Sequence, residues 1–345
     1  MNRFEYIRPG SVAEAVAAVA QHNAAFLAGG TNLLDLMKGG LSRPERLVDI
    51  SRLPGLDRIE IMADGGVRIG ALVRNSDLAY HPEIAARLPS LSEALLSGAS
   101  AQLRNAATVA GNVMQRTRCA YFYDPASACN KRAPGSGCDA RGGDTRLAAV
   151  LGWSEHCIAT HPSDFCVPMV AFDAVVEIVG PTGSREVPLE DFHLLPGETP
   201  EQETALAPGE MIVSLRLPPQ AAGFPGHARY LKLRDRTSYA FALVSVAAAL
   251  RLDGDRITEA RLALGGVALK PWRARTAEQF LDGKQIGEGA FASAADLALL
   301  KAKPSGHNEF KIELARRLVI RALRQAAKGT PERLPALPAS VVNMA

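Results

Sequence analysis

A chain of 345 residues is long enough for two or three domains, each with a real core. Its 47% hydrophobic and 22% charged residues are the composition of an ordinary globular protein. Lys and Arg number 39 against 36 Asp and Glu, a net charge of +3 spread without a basic stripe, so neither nucleic acid nor another polyanion is implied as a partner.

No apolar run reaches the ~18 residues of a membrane span. The N-terminus, Met1 to Val16, lacks the apolar stretch and small-residue cleavage site of a secretory signal. The chain is therefore expected in the cytoplasm, or in the periplasm only if a signal-bearing partner carries it there.

Ser11 and Glu14 form a capping box ahead of Val12, Val16 and Val19, which predicts a helix from about Val12 to His22. A strand over Ala25 to Leu27 follows, running into Ala28-Gly29-Gly30-Thr31-Asn32. A short helix from Leu33 stops at Gly39-Gly40, and a strand covers Arg46 to Ile50, completing a βαβ unit. Two short strands flank Gly65-Gly66, and Glu83 to Leu96 is helical with a break at Pro89. Gln102 to Asn112 is punctuated by small residues and has no clear periodicity. Thr117 to Cys157 is rich in Gly, Pro, Asp and Arg, the pattern of a segment held by something other than its own apolar core. Strands are expected over Ala174 to Val179 and Met211 to Leu217, and linker composition at Pro218 to Gly226. A hairpin, Val244 to Leu252 and Ile257 to Leu264, turns at Asp253-Gly254-Asp255. Helical patterns recur over Ala277 to Leu281, Ala292 to Lys301 and Glu309 to Ala327, before a Pro-rich tail from Pro331.

Two small-residue loops carry candidate chemistry. At Ala28 to Asn32, glycines let backbone N–H groups approach an anion such as a phosphate, although a Gly-Gly pair also serves as a plain strand-to-helix turn. The pattern is not GxGxxG and gives no warrant for a Rossmann site. Ala107-Thr108-Val109-Ala110-Gly111-Asn112 is the second, and the pair could clasp an extended ligand such as a dinucleotide. Asp164 adds a carboxylate suited to ribose hydroxyls or to capping a helix. The chain has neither Gly-x-Ser-x-Gly nor a P-loop, so hydrolase and NTPase readings lose their support.

All five cysteines fall between Cys119 and Cys166, spaced C-x9-C-x8-C-x18-C-x8-C. Without a C-x2-C pair a zinc ribbon has no support, and without a signal peptide disulfides are disfavoured. Soft thiolates gathered in a core-poor segment suit a 4Fe-4S cluster first, reduced structural or reactive thiols second and zinc third. Cys166 lies in apolar Phe165-Cys166-Val167-Pro168-Met169 and is the spare, which leaves Cys119, Cys129, Cys138 and Cys157 as ligands. His156 and His161 flank the segment and read first as surface or core residues, second as groups tuning a centre.

Three segments carry a family likeness: Ala28-Gly-Gly-Thr-Asn-Leu-Leu-Asp-Leu-Met-Lys38, Ala107-Thr-Val-Ala-Gly-Asn112 and Arg229-Tyr-Leu-Lys-Leu-Arg-Asp-Arg-Thr-Ser-Tyr-Ala-Phe-Ala242. In this order, and over essentially the whole chain, they resemble the FAD-binding medium subunits of molybdenum hydroxylases of the xanthine dehydrogenase family. The cysteine segment resembles that of the aldehyde oxidoreductase subgroup, whose flavin subunit carries an extra 4Fe-4S cluster.

The resemblance implies an α+β architecture: a two-part FAD-binding domain of the vanillyl-alcohol-oxidase (PCMH) type, then a C-terminal α+β domain of the CO-dehydrogenase-flavoprotein type. It places the FAD domain at 1–217 (lobes 1–57 and 58–217, with the insertion at about 116–159), a linker at 218–226, the C-terminal domain at 227–330 and an extended tail at 331–345. The FAD pyrophosphate would lie on Ala28, Gly29, Gly30, Thr31, Asn32, Leu33 and Leu34, with further contacts from Thr108, Gly111 and Asn112. Asp164 would close the second flavin motif, Lys232 would face the cofactor, and Tyr239 would lie in the segment approaching the isoalloxazine. The implied role is electron transfer. A large molybdopterin subunit would oxidise an aldehyde or N-heterocycle, a small 2Fe-2S subunit would relay electrons, and this flavin would pass them to an external acceptor. A self-standing flavoprotein oxidase and a zinc-stapled assembly module are the alternatives.

Overall fold

Residues 1–20 and 23–332 are described by a computed structural model of the chain. Half of the expected capping box forms at its start: the Ser11 hydroxyl accepts from the Glu14 N–H (3.2 Å), while the Glu14 carboxylate reaches one residue further back than the N-cap and accepts from the Gly10 N–H (2.8 Å). The helix it opens spans Val12–Val19. Positions 21 and 22, to which that helix was expected to run, lie outside the described residues. Strands β1 (Glu5–Ile7), β2 (Ala24–Leu27) and β3 (Arg46–Asp49) make a parallel sheet in the order β1-β3-β2. β1 was not foreseen, since three residues are too short to show a period.

The second lobe is a five-stranded antiparallel sheet of β4 (Ile59–Ile61), β5 (Val67–Gly70), β6 (Val175–Gly180), β7 (Gly183–Pro188) and β8 (Met211–Leu217), ordered β4-β5-β8-β6-β7. Strand β7 also went unread; it is an edge strand whose polar residues Gly183 to Glu186 are exposed. The core under this sheet gathers Ile69, Leu91, Val109, Phe165, Met169, Phe192 and Leu215, and the helix Pro89–Ser97 is buried on all sides, from Pro89 to Leu96. Gln102 to Asn112, which shows no clear periodicity, is mostly helical. It holds the helices Ala101–Ala106 and Val109–Val113, capped by the Ser100 and Thr108 hydroxyls, and each is too short for an apolar period to be visible.

The third sheet, β12-β11-β10-β9, contains the expected hairpin β10 (Val244–Asp253) and β11 (Arg256–Gly265), with β9 (Ala228–Leu233) and β12 (Trp272–Arg273) at its edges. The helices Arg275–Leu281, Glu288–Ala298 and Phe310–Lys328 cover it, burying Ala315, Val319, Ala322 and Leu323 against the sheet's apolar residues. The segment before β9 is more than a linker: a 3-10 turn at Pro219–Gly223 leads to Phe224, and Ala221 and Phe224 are buried in the second lobe's core. Of the Pro-rich tail, residues 333–345 lie outside the described residues.

The cysteine segment is irregular as expected, with one helical turn at Ala120–Tyr123 and a 3-10 turn at Asp139–Gly142. It is nevertheless anchored. Phe122, Val150, Leu151 and Ile158 are buried, and Val150 and Leu151 belong to the C-terminal core, both N–H groups donating to the Val267 carbonyl at 2.9 Å. Lys311, fully buried on the last helix, donates to the carbonyls of Ala148 (2.8 Å) and Gly266 (2.7 Å). The insertion is thus stitched between the two halves of the chain. Among the described residues no helix is long and apolar enough to cross a membrane.

Candidate functional site

The two glycine-containing loops meet. Gly29 lies so close to the second that a Cβ there would stand 1.9 Å from the Ala106 carbonyl oxygen, so only glycine allows the approach. Gly30 adopts φ 72°, the left-handed region that favours glycine. A Cβ at Gly30 would crowd the side chains of Leu34 and Leu27. The Asn32 amide donates to the Gly111 carbonyl at 3.4 Å, and Leu34 N–H donates to the Gly30 carbonyl. Thr108 caps its helix by accepting from the Gly111 N–H at 3.3 Å, while Asn112 Oδ1 accepts from the Ser163 hydroxyl at 2.7 Å. Ala28, Thr31 and Leu33 complete the half-buried first loop. Backbone amides near two loops brought into register suit a diphosphate, whose negative charge they would meet without desolvating a side chain.

Ser163 also ties this motif to the next residue, Asp164. The Asp164 carboxylate is buried and pairs with the Lys232 ammonium at 2.8 Å, while its other oxygen accepts from the Tyr230 hydroxyl at 2.6 Å. Tyr230 and Lys232 are two apart on β9 and so share a face, the period that puts both on one carboxylate. The ion pair joins the stretch between the cysteine segment and β6 to the C-terminal sheet. Tyr239, at φ 51°, is exposed and its carbonyl accepts from Arg236; two residues on, the aromatic side chain of Phe241 lines the neighbouring cavity.

That cavity, of about 200 Å³, lies between the cysteine segment and the C-terminal sheet, walled by Arg118, Cys119, Tyr121, Asp164, Phe241 and Ser245 among others. Beside it is a small cavity whose wall includes all four of Cys119, Cys129, Cys138 and Cys157. The two share Thr117, Cys119, Tyr121, Ala140, Ile158 and Ala159. A bridge pairs Cys129 with Cys138, and another pairs Ser154 with Cys157, so backbone pairing sets these thiols around one space. Burial pushes the Cys119 and Cys138 thiols up and that of Cys157 to about 11, offset by backbone N–H groups of Phe122, Arg141 and Ala159 facing the sulfurs. Lys131, with its side chain 1% exposed, faces Cys157 and pairs with Glu203 at 3.0 Å. Four soft thiols with N–H donors and a compensated cation are a donor set that fits an iron–sulfur cluster.

Cys166 lies elsewhere, fully buried, its thiol pushed up to about 12 by burial. It stands with His161 and His193, their ligand-capable atoms within 4.8 Å of one another. Both imidazoles are held below their usual range by burial, His193 at about 4, and His193 Nε2 donates to the Val113 carbonyl at 2.9 Å. His156 lines the four-cysteine cavity and is exposed. Sequence reasoning missed Arg118, Lys131, Tyr230 and Phe241. Tyr230 was findable from the two-residue period around Lys232; the rest depend on which loops touch.

Two family models match, end to end. Residues 2–220 match the FAD binding domain in molybdopterin dehydrogenase, and residues 229–326 match the CO dehydrogenase flavoprotein C-terminal domain. The chain belongs to the FAD-binding subunits of the molybdenum hydroxylases. Within this family it is 52% identical, over 94% of its length and 99% of the relative's, to the aldehyde oxidoreductase FAD-binding subunit PaoB of Escherichia coli (strain K12). It is 32% identical to the carbon monoxide dehydrogenase medium chain of Hydrogenophaga pseudoflava, over 94% of its length and 97% of the relative's. A solved structure of carbon monoxide dehydrogenase from that organism superposes with a TM-score of 0.73 at 31% identity, over 94% of this chain and 97% of the other. The family fold is therefore the one expected, a FAD domain followed by a flavoprotein C-terminal domain, and the chain is an oxidoreductase subunit.

Proposed function

We propose that this chain is the FAD- and 4Fe-4S-carrying electron-transfer subunit of a molybdenum-containing aldehyde oxidoreductase. The observation that carries the reading is the four-cysteine cavity sharing a wall with the cavity beside Asp164 and Phe241, so that a cluster and a flavin ring would be neighbours across Cys119. The likeness to PaoB supports an aldehyde as the substrate class of the whole enzyme. In this reading Ala28 to Leu34 hold the FAD pyrophosphate, Thr108, Gly111 and Asn112 flank it, and the Asp164–Lys232 pair and the Tyr239 segment border the ring. Bound FAD would supply the exchange between single electrons and electron pairs. Cys119, Cys129, Cys138 and Cys157 would hold the cluster, which would supply a one-electron site.

A cluster is preferred over zinc because four cysteines without a C-x2-C pair line one cavity, with backbone N–H groups facing their sulfurs, the ligation a 4Fe-4S centre uses. A large molybdopterin subunit and a small 2Fe-2S subunit complete the enzyme in this proposal, consistent with relatives described as medium chains and FAD-binding subunits. The proposed division is 1–217 for FAD, with the cluster insertion at about 116–159, a junction at 218–226 and a C-terminal domain at 227–330.

Iron, sulfide and flavin analysis of the purified complex, with low-temperature EPR after dithionite reduction, tests the reading. Serine at any of the four proposed ligands exchanges a thiolate for a harder, far less acidic oxygen and should abolish or strongly alter the cluster signal; Cys166→Ser should not. A normal signal in Cys129→Ser or Cys138→Ser would overturn the ligand assignment, and zinc without flavin would overturn the function.

A further inference from the structure

Arg118 directly precedes Cys119 and reaches three separate parts of the molecule. Its Nη2 donates to Asn32 Oδ1 at 2.6 Å, on the first glycine loop. Its Nη1 donates to Asp35 Oδ2 and to the Tyr123 hydroxyl, both at 2.8 Å. The guanidinium lies over the Tyr123 ring (5.5 Å) and the Phe241 ring (5.4 Å), the latter on the C-terminal side of the cavity. The Nε atom is buried and has no hydrogen-bond partner.

We propose that Arg118 is a positioning residue that couples the two cofactor sites, so that closure of the four cysteines and binding of FAD by the Asn32 loop assist each other. The inference rests on the FAD and cluster reading given above. The backbone of Cys119 cannot move to release a cluster without moving the adjoining Arg118. The fork of Arg118 is fixed at once by Asn32, by Asp35 and by two aromatic faces, an arrangement the planar guanidinium meets and an ammonium does not. An ordered cysteine segment therefore presents the guanidinium to Asn32 in place, and an empty one lets it swing. Because a coupling between two binding equilibria is reciprocal, FAD in turn favours the closed cysteine segment.

The test is FAD titration of the deflavinated complex, followed by flavin fluorescence, with iron content measured on each sample. Arg118→Ala should keep its iron and bind FAD about tenfold more weakly or worse, the worth of one charge-assisted hydrogen bond. Arg118→Lys should recover only part of this loss. Cys129→Ser should weaken FAD about tenfold in the native background and less than about threefold in Arg118→Ala, because the coupling has already been removed. An iron-replete Arg118→Ala complex that binds FAD as tightly as the native one overturns the inference alone. So does a Cys129→Ser effect that persists undiminished in Arg118→Ala. A native complex devoid of iron instead overturns the cluster reading on which the inference stands.

Discussion

Replacing Asp164 by Asn removes the negative partner of a buried cation while keeping the shape of the side chain. The Asp164 and Lys232 side chains are 9% and 3% exposed, so water does little to compensate the ammonium left behind. Removing one member of a buried pair costs about 3–5 kcal/mol. Two retained contacts favour the lower end: Lys232 still donates to the Ser97 carbonyl at 3.2 Å, and the amide oxygen can still accept from Tyr230. We expect about 3 kcal/mol for Asp164→Asn. Adding Lys232→Met removes the orphaned charge, so the double variant should regain most of the loss. Urea unfolding of the flavin-free chain, followed by the fluorescence of Trp153 and Trp272, gives both numbers and their coupling. A cost below about 1 kcal/mol for Asp164→Asn, or a double variant no more stable than the single one, would refute the account of this pair as a desolvated tie between the two halves of the chain.

Gly29→Ala puts a methyl group 1.9 Å from the Ala106 carbonyl and must force the two loops apart. We expect FAD affinity to fall by about tenfold or more while far-ultraviolet circular dichroism stays native, and stoichiometric FAD in the purified variant would contradict the loop assignment. The buried imidazoles predict acid sensitivity. His193 titrates at about 4 in the fold against 6.5 ordinarily, so below pH 6.5 the unfolded chain takes up a proton that the folded chain refuses. Stability therefore falls as the pH drops from about 6.5 to about 4, by roughly 3 kcal/mol in total, and His161, depressed in the same direction, steepens the fall. His193→Gln should flatten the denaturation midpoint over that range, and an unchanged pH slope in this variant would show that the ring is not held neutral.

Periodic elements were legible because burial writes a repeat into the sequence. The Val12–Val19 helix, the β10–β11 hairpin and the Phe310–Lys328 helix each turn one apolar face to a core for long enough that the spacing alone reveals them. Strands β1, β7 and β9 were not, being short, at an edge or flanked by loops. Likewise the Ala101–Ala106 and Val109–Val113 helices owe their existence to the Ser100 and Thr108 caps more than to any periodicity.

The site divides along the same line. Thiols clustered in one core-poor stretch, and glycines where a strand turns into a helix, are local chemistry, and residue type with spacing was enough to single out Cys119, Cys129, Cys138, Cys157 and the Ala28 to Asn32 loop. Only the tertiary structure decided that the four thiols ring one space, that Gly29 abuts Ala106, and that Asp164 spends its charge on Lys232. It also brought Arg118 to Asn32, 86 positions away. Contacts of that kind come from chain closure over long loops, where many residues of ordinary polarity could serve as partners and the packing of the two halves selects one.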